Sequence, residues 1–156
     1  MTDEAKEGIF LVTAADEESA VLKDVDTGQV HTLSSNPGVE RNDAVEGVVA
    51  PDPPLELSWQ LVEVHDRRSL VVEESAESPT SFVRDVAADQ AVGELAREER
   101  AGTGEIHVLT VPEDETEDVV EDVAVDETTY ARAARLGVAR VEIRSAPGVV
   151  SVRYMP

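Results

Sequence analysis

The sequence predicts an α+β protein: a small antiparallel β-barrel at the N-terminus followed by an α-β-α-α-β-β module. Three observations predict it. Between Gly8 and Val64 the chain carries five short apolar runs separated by turn residues. Glu105 to Leu136 reads as a strand buried on both faces, a proline stop and an amphipathic helical run. Val138 to Tyr154 then offers two strand-like runs across Ala146-Pro147-Gly148.

In the first part, Gly8–Ala15, Ser19–Val25 and Gln29–Ser34 are the expected first three strands. Asp26-Thr27-Gly28 forms a hairpin turn between the last two, because glycine tolerates the positive φ that such turns require. After the turn cluster Ser35-Asn36-Pro37-Gly38 comes a strand at Ala44–Ala50, and after Pro51-Asp52-Pro53-Pro54 a long one at Leu55–Val64. Leu55, Leu57, Trp59 and Leu61 alternate, whereas Val62 and Val64 fall on the other face, which indicates a bulge near Leu61. Five short strands joined by tight turns suit a closed or nearly closed barrel. The stretch PGVERNDAVEGVV resembles the strand entry of OB-like barrels, and an SH3-like barrel fits the same pattern.

Residues 1–66 are therefore expected to form a barrel-like module, 67–81 a linker around SAESPTS or an edge strand at Leu70-Val71-Val72, and 82–156 an α/β module. In the last, Phe82–Ala101 has near-helical apolar spacing, with Gly93 as a weak point costing about 1 kcal/mol relative to alanine. Asp114 and Glu117 have the spacing of a capping box. A second helix, DETTYARAARL, has Tyr130 and Ala134 as its inward pair, basic residues near its end and Gly137 beyond it. Helices are expected on one face of the resulting sheet.

Composition limits the functional classes. There are 34 acidic against 13 basic residues, a formal net charge of -21, and Lys6 and Lys23 are the only lysines. In dilute buffer such a surface repels itself and destabilises the compact state. At about 1 M salt the Debye length shrinks to about 3 Å and the repulsion is largely removed. The composition thus predicts the cytoplasm of a salt-accumulating halophile. The periodic apolar runs argue against an acidic disordered chain. There are no cysteines, so disulfides and thiolate chemistry are excluded. The acidic N-terminus has no apolar run of signal-peptide length, and no stretch approaches a membrane span.

No catalytic constellation emerges. Asp26-Thr27-Gly28 matches the triplet of aspartic proteases, but it sits at a hairpin turn and lacks a partner triplet. Gly102-Thr103-Gly104 precedes its strand, where a dinucleotide fingerprint must follow one. His31, His65 and His107 have no metal-ligand spacing, and no G-x-S-x-G elbow is present. The expected cofactor set is empty. Arg67 and Arg68 beside Trp59, with Lys23, form the one basic spot that has an aromatic neighbour and could contact nucleic acid. The competing reading buries Trp59 in the barrel and pairs the arginines with surface acids.

The stretches LKDVDTGQVHTLSSNPGVE, AVGELAREERAGTGEIHVLTVPEDETE and ARAARLGVARVEIR resemble a family of small proteins of unknown function from halophilic archaea. The resemblance implies a halophilic cytoplasm and assigns no catalytic residue. The functional expectation is a non-enzymatic binding or adaptor module engaging a protein partner or a second copy of itself. The alternative is a nucleic-acid-associated factor working through the barrel.

Overall fold

The computed structural model describes residues 4–55, 57–100 and 102–156. Residues 1–3 of the expected barrel module, Glu56 of the expected fifth strand and Ala101 of the expected helix lie outside them. The chain forms two units. The first runs as far as Leu70 and adds Tyr130–Arg135, and the second comprises Val71–Thr129 and Leu136–Pro156.

The first unit is a closed five-stranded barrel made of β1 (Lys6–Ala15), β2 (Ala20–Asp24), β3 (Val30–Leu33), β4 (Asp43–Pro51) and β5 (Trp59–Ser69). Its strand order is β1-β2-β3-β5-β4, with β4 returning to pair with β1. Period-2 patterning decides which residues turn inward. Phe10, Val12, Leu22, Leu33, Val45 and Val49 point into the barrel and pack as one apolar core. Each such side chain contributes about 1.5–3 kcal/mol by leaving water. The turns are tied by their own polar side chains. Asp24 Oδ1 accepts from the amides of Asp26 and Thr27, and Asn36 Oδ1 accepts from those of Gly38 and Val39.

The fifth strand departs from the expected alternation. It starts at Trp59 rather than Leu55, and Leu55 and Leu57 are exposed in the preceding turn. The proline cluster before them supplies no run of free amides for a ladder, so pairing with β4 begins only at Pro51–Trp59. The pairing then shifts twice, leaving Val62 and His65 as extra residues on β5. Between these bulges the strands come very close at Gly47. A Cβ there would lie 2.1 Å from the carbonyl oxygen of Glu63 and 3.3 Å from Cα of Val64.

The second unit holds a five-stranded sheet in the order β6-β9-β10-β8-β7. Its strands are β6 (Val71–Glu74), β7 (Leu95–Glu99), β8 (Glu105–Thr110), β9 (Arg140–Ala146) and β10 (Val149–Met155). The helices are α1 (Ser81–Ala88), α2 (Thr116–Val125) and α3 (Glu127–Leu136), of which Tyr130–Arg135 belongs to the barrel unit. The element order after the barrel is therefore β-α-β-β-α-α-β-β; β6 falls where 67–81 offered an edge strand, and β7 is the strand beyond the expected set. Within 67–81 the chain finishes β5 and forms β6, which lies at the edge of the sheet.

The largest correction concerns 82–101. Thr80 caps α1 by accepting from the Val83 amide, but the helix ends at Ala88. Thr110 donates its hydroxyl hydrogen to the Ala87 carbonyl, Gln90 reaches the Val108 carbonyl, and Gly93 turns at φ +93°. The rest, LAREE, becomes β7 and pairs with β8. Its residues are good helix formers, so pairing along β8 overrides local propensity. The capping box is also absent. Glu113–Glu115 forms a 3₁₀ turn, and Thr116 bridges it to the β9–β10 turn by donating to Glu113 O and accepting from Gly148 N. In α3 the buried alanines are Ala133 and Ala134, while Tyr130 is half-buried. The sheet is buried on both faces rather than one. Val83 and Ala87 of α1 cover Val108, and on the opposite face Val141, Ile143, Val150 and Val152 are buried too.

The close approach at Gly47 makes a prediction. Gly47→Ala should push β5 off β4 at the bulge and destabilise the chain by about 1–3 kcal/mol in denaturant unfolding. An unchanged unfolding midpoint would refute this bulge geometry.

Candidate functional site

The barrel is closed unevenly, and this sets the site. β5 makes a long antiparallel ladder with β4 from Trp59 to Ser69. Its other side meets β3 at one parallel bridge, Leu33 to Trp59, reinforced where the Ser34 amide donates to the Trp59 carbonyl at 3.0 Å. β3 is only four residues long and turns away into the Asn36 loop, so it cannot follow β5 further. Among the described residues, no second strand lines β5 beyond Trp59. Alternate residues of a strand paired on one side aim their amide and carbonyl groups away from that neighbour. Val62 and Val64 on this strand are 50% and 53% exposed.

Behind the seam lies an aromatic and cationic cluster. His31 on β3 is fully buried and meets Trp59 edge-on at 4.3 Å between ring centroids and Phe10 at 5.7 Å. Neither of its ring nitrogens has a hydrogen-bond partner. Burial, reinforced by the positive charge of Lys6 and opposed by Asp24, holds the imidazole below its ordinary pKa. The neutral ring thus serves as an aromatic wall. Lys6 places its ammonium 5.9 Å from the Trp59 ring centroid and donates to Gln29 Oε1 at 2.7 Å.

The residues anticipated for nucleic acid are partly separated. Trp59 is half-buried and packs against the barrel core. Lys23 is half-buried on β2, opposite Val30 and on its face of the sheet. Arg67 pairs with the buried carboxylate of Asp43 at 3.2 Å. Arg68 is largely buried; it bridges Glu46 and Asp66 and donates to the Ala134 carbonyl at 3.1 Å. Both guanidiniums are thus held by carboxylates. Of the other motifs, Asp26-Thr27-Gly28 is the β2–β3 turn, with Asp26 3.3 Å from the Arg135 guanidinium. Gly102-Thr103-Gly104 is the turn from β7 to β8. His65 is exposed beside Glu7, and His107 is buried in the second sheet against Tyr154. Among the described residues, no helix is long and apolar enough to cross a membrane.

Sequence reasoning missed Lys6 and His31 as neighbours of Trp59, and Gln29 as the partner of Lys6, since their proximity depends on barrel closure. The out-of-phase valines of β5 were its one visible trace.

Over residues 6–145 the chain matches the family described as a family of unknown function (DUF5812). The chain belongs to this family. No curated protein and no solved structure matches the chain. Family membership thus brings no chemistry of its own, and the barrel seam must speak for this DUF5812 protein.

His31 makes the stability pH-dependent with a definite sign. Its unfolded-state pKa is about 6.5 and its folded value is lower, so the unfolded chain takes up the proton first as pH falls. The contribution is complete above about pH 6.5 and is lost below it. Melting curves of wild type and His31→Leu between about pH 8 and pH 5 should therefore diverge, with wild type losing more on acidification. Parallel curves would show that His31 does not carry this linkage.

Proposed function

We propose that this chain is a non-enzymatic binding or adaptor module of a halophilic cytoplasm, and that it engages a protein partner along the open edge of β5. One observation carries the reading. β5 is eleven residues long and paired with β4 along one side; among the described residues no strand pairs with its other side beyond Trp59, and two of its aliphatic side chains are exposed. An added strand would satisfy its backbone groups and cover those valines. The other sheet edges are less suited. β6 and β7 have four and five residues and carry Glu73, Glu74 and Arg97-Glu98-Glu99, as edges protected from pairing do.

A second reading has its own support. A closed five-stranded barrel in which β3 meets β5 at a single parallel bridge suits an OB-like better than an SH3-like assignment, and OB-like barrels bind oligonucleotides. Trp59 with Lys6 and Lys23 would then serve as stacking and phosphate contacts. The carboxylates that hold Arg67 and Arg68 weigh against it.

The test is purification from host lysate in molar KCl, followed by light scattering with and without nuclease. A nuclease-insensitive mass above the 16.8 kDa monomer, lost in the Val62→Lys, Val64→Lys double variant, is the expected result. A nuclease-sensitive mass with a raised 260/280 nm ratio would put the nucleic-acid reading first.

A further inference from the structure

The seam between β3 and β5 has a property that strand docking does not use. We propose that it is an acid-released latch: when His31 takes up a proton, Trp59 leaves the ring and the barrel opens between β3 and β5, while its other ladders stay paired.

The latch lies in how His31 is held. The ring is fully buried and edge-on to Trp59 and Phe10, and neither nitrogen has a hydrogen-bond partner. A neutral imidazole in this place leaves one N–H orphaned, whereas an imidazolium would bury a full charge and two orphaned donors. β1 brings Phe10 and the Lys6 ammonium, whose charge disfavours a second cation. β2 brings Leu22 opposite the ring and Asp24, whose Oδ1 is already held by the amides of Asp26 and Thr27. Asp24 draws a proton toward the ring, but burial and Lys6 oppose it more strongly. β4 and β5 turn Val45, Val49 and Trp59 toward the same interior. A protonated His31 is therefore stable only where water reaches it.

Water enters most easily at the seam. β3 and β5 share one parallel bridge, Leu33 to Trp59, and the Trp59 carbonyl accepts from the Ser34 amide at 3.0 Å and the Ser34 hydroxyl at 3.4 Å. Every other pair of neighbouring strands in the barrel is joined by a ladder of at least four residue pairs. Local opening draws on the weakest contacts, and opening here breaks no ladder. The sign is fixed by linkage. Hydrated, the ring titrates near its ordinary pKa of about 6.5; buried, it titrates lower, so acid favours the open form. While the closed ring stays neutral, each pH unit below about 6.5 multiplies the open fraction by up to about ten.

Trp59 is the only tryptophan, so tryptophan fluorescence reports on the seam directly. The experiment titrates the full chain in molar KCl from about pH 8 to about pH 5 and reads acrylamide quenching of Trp59 together with amide hydrogen exchange corrected for the intrinsic rate. Quenching and exchange of the Ser34 amide should both rise reversibly below about pH 6.5, whereas amides of the β4–β5 ladder and of the second sheet stay protected. His31→Leu should keep both readings flat. If that variant does not fold, the exchange pattern of the wild-type chain decides by itself. Quenching and Ser34 exchange that stay constant down to about pH 5 would overturn the latch. So would loss of protection in all strands together, which is global acid unfolding, or a transition that persists unchanged in His31→Leu, which belongs to other groups.

Discussion

The two sides of β5 are held very differently, and much of the first unit follows from that inequality. On one side β4 pairs along almost its whole length, through a ladder kinked twice and drawn tight at Gly47. On the other, closure rests on one parallel bridge at Trp59. The bridge holds because both residues have apolar anchorage. Leu33 is buried in the core, and Trp59 packs over His31. The seam is thus secured by aromatic packing more than by backbone hydrogen bonds. A barrel closed in this way keeps a filled interior, while among the described residues no second strand pairs with β5 beyond Trp59.

Charge acts on the same structure in a second way. With far more carboxylates than cations, the arginines of β5 are held locally, Arg67 by Asp43 and Arg68 by Glu46 and Asp66. Ion pairs as exposed as the Asp66 carboxylate contribute little to stability individually, and salt weakens them further. The Asp43 carboxylate is a stronger case, because it is buried and also accepts from the Glu40 amide. It fixes the entry to β4 at the point where the ladder with β5 ends. The acidic surface therefore includes carboxylates with structural duties, Asp43 among them.

What the sequence disclosed depended on how local the determining forces were. The first four barrel strands are legible because tight turns separate them and apolar residues alternate within each. The hairpin of β9 and β10 is legible for the same reason. The stretch from Leu95 to Glu99 is not, since leucine, alanine, arginine and glutamate favour a helix and only β8 makes them a strand. The start of β5 was misplaced because Leu55 and Leu57 continue the alternation although the chain there lies outside any ladder. Trp59 and the two arginines could be picked out as unusual residues. That Trp59 would face a buried histidine and a lysine from the first strand could not, as it requires β1, β3 and β5 to have met.

The membership of α3 has a consequence for synthesis. The barrel unit includes Tyr130–Arg135, and Ala133 and Ala134 within it are fully buried. Domains commonly fold from the N-terminus as the chain leaves the ribosome. Here that order cannot run to completion. When Ser69 emerges, all five barrel strands are present, yet the six residues that belong with them come about 60 residues later, after β6, β7 and β8. The first unit to be translated must therefore wait, incomplete, until most of the second has been made.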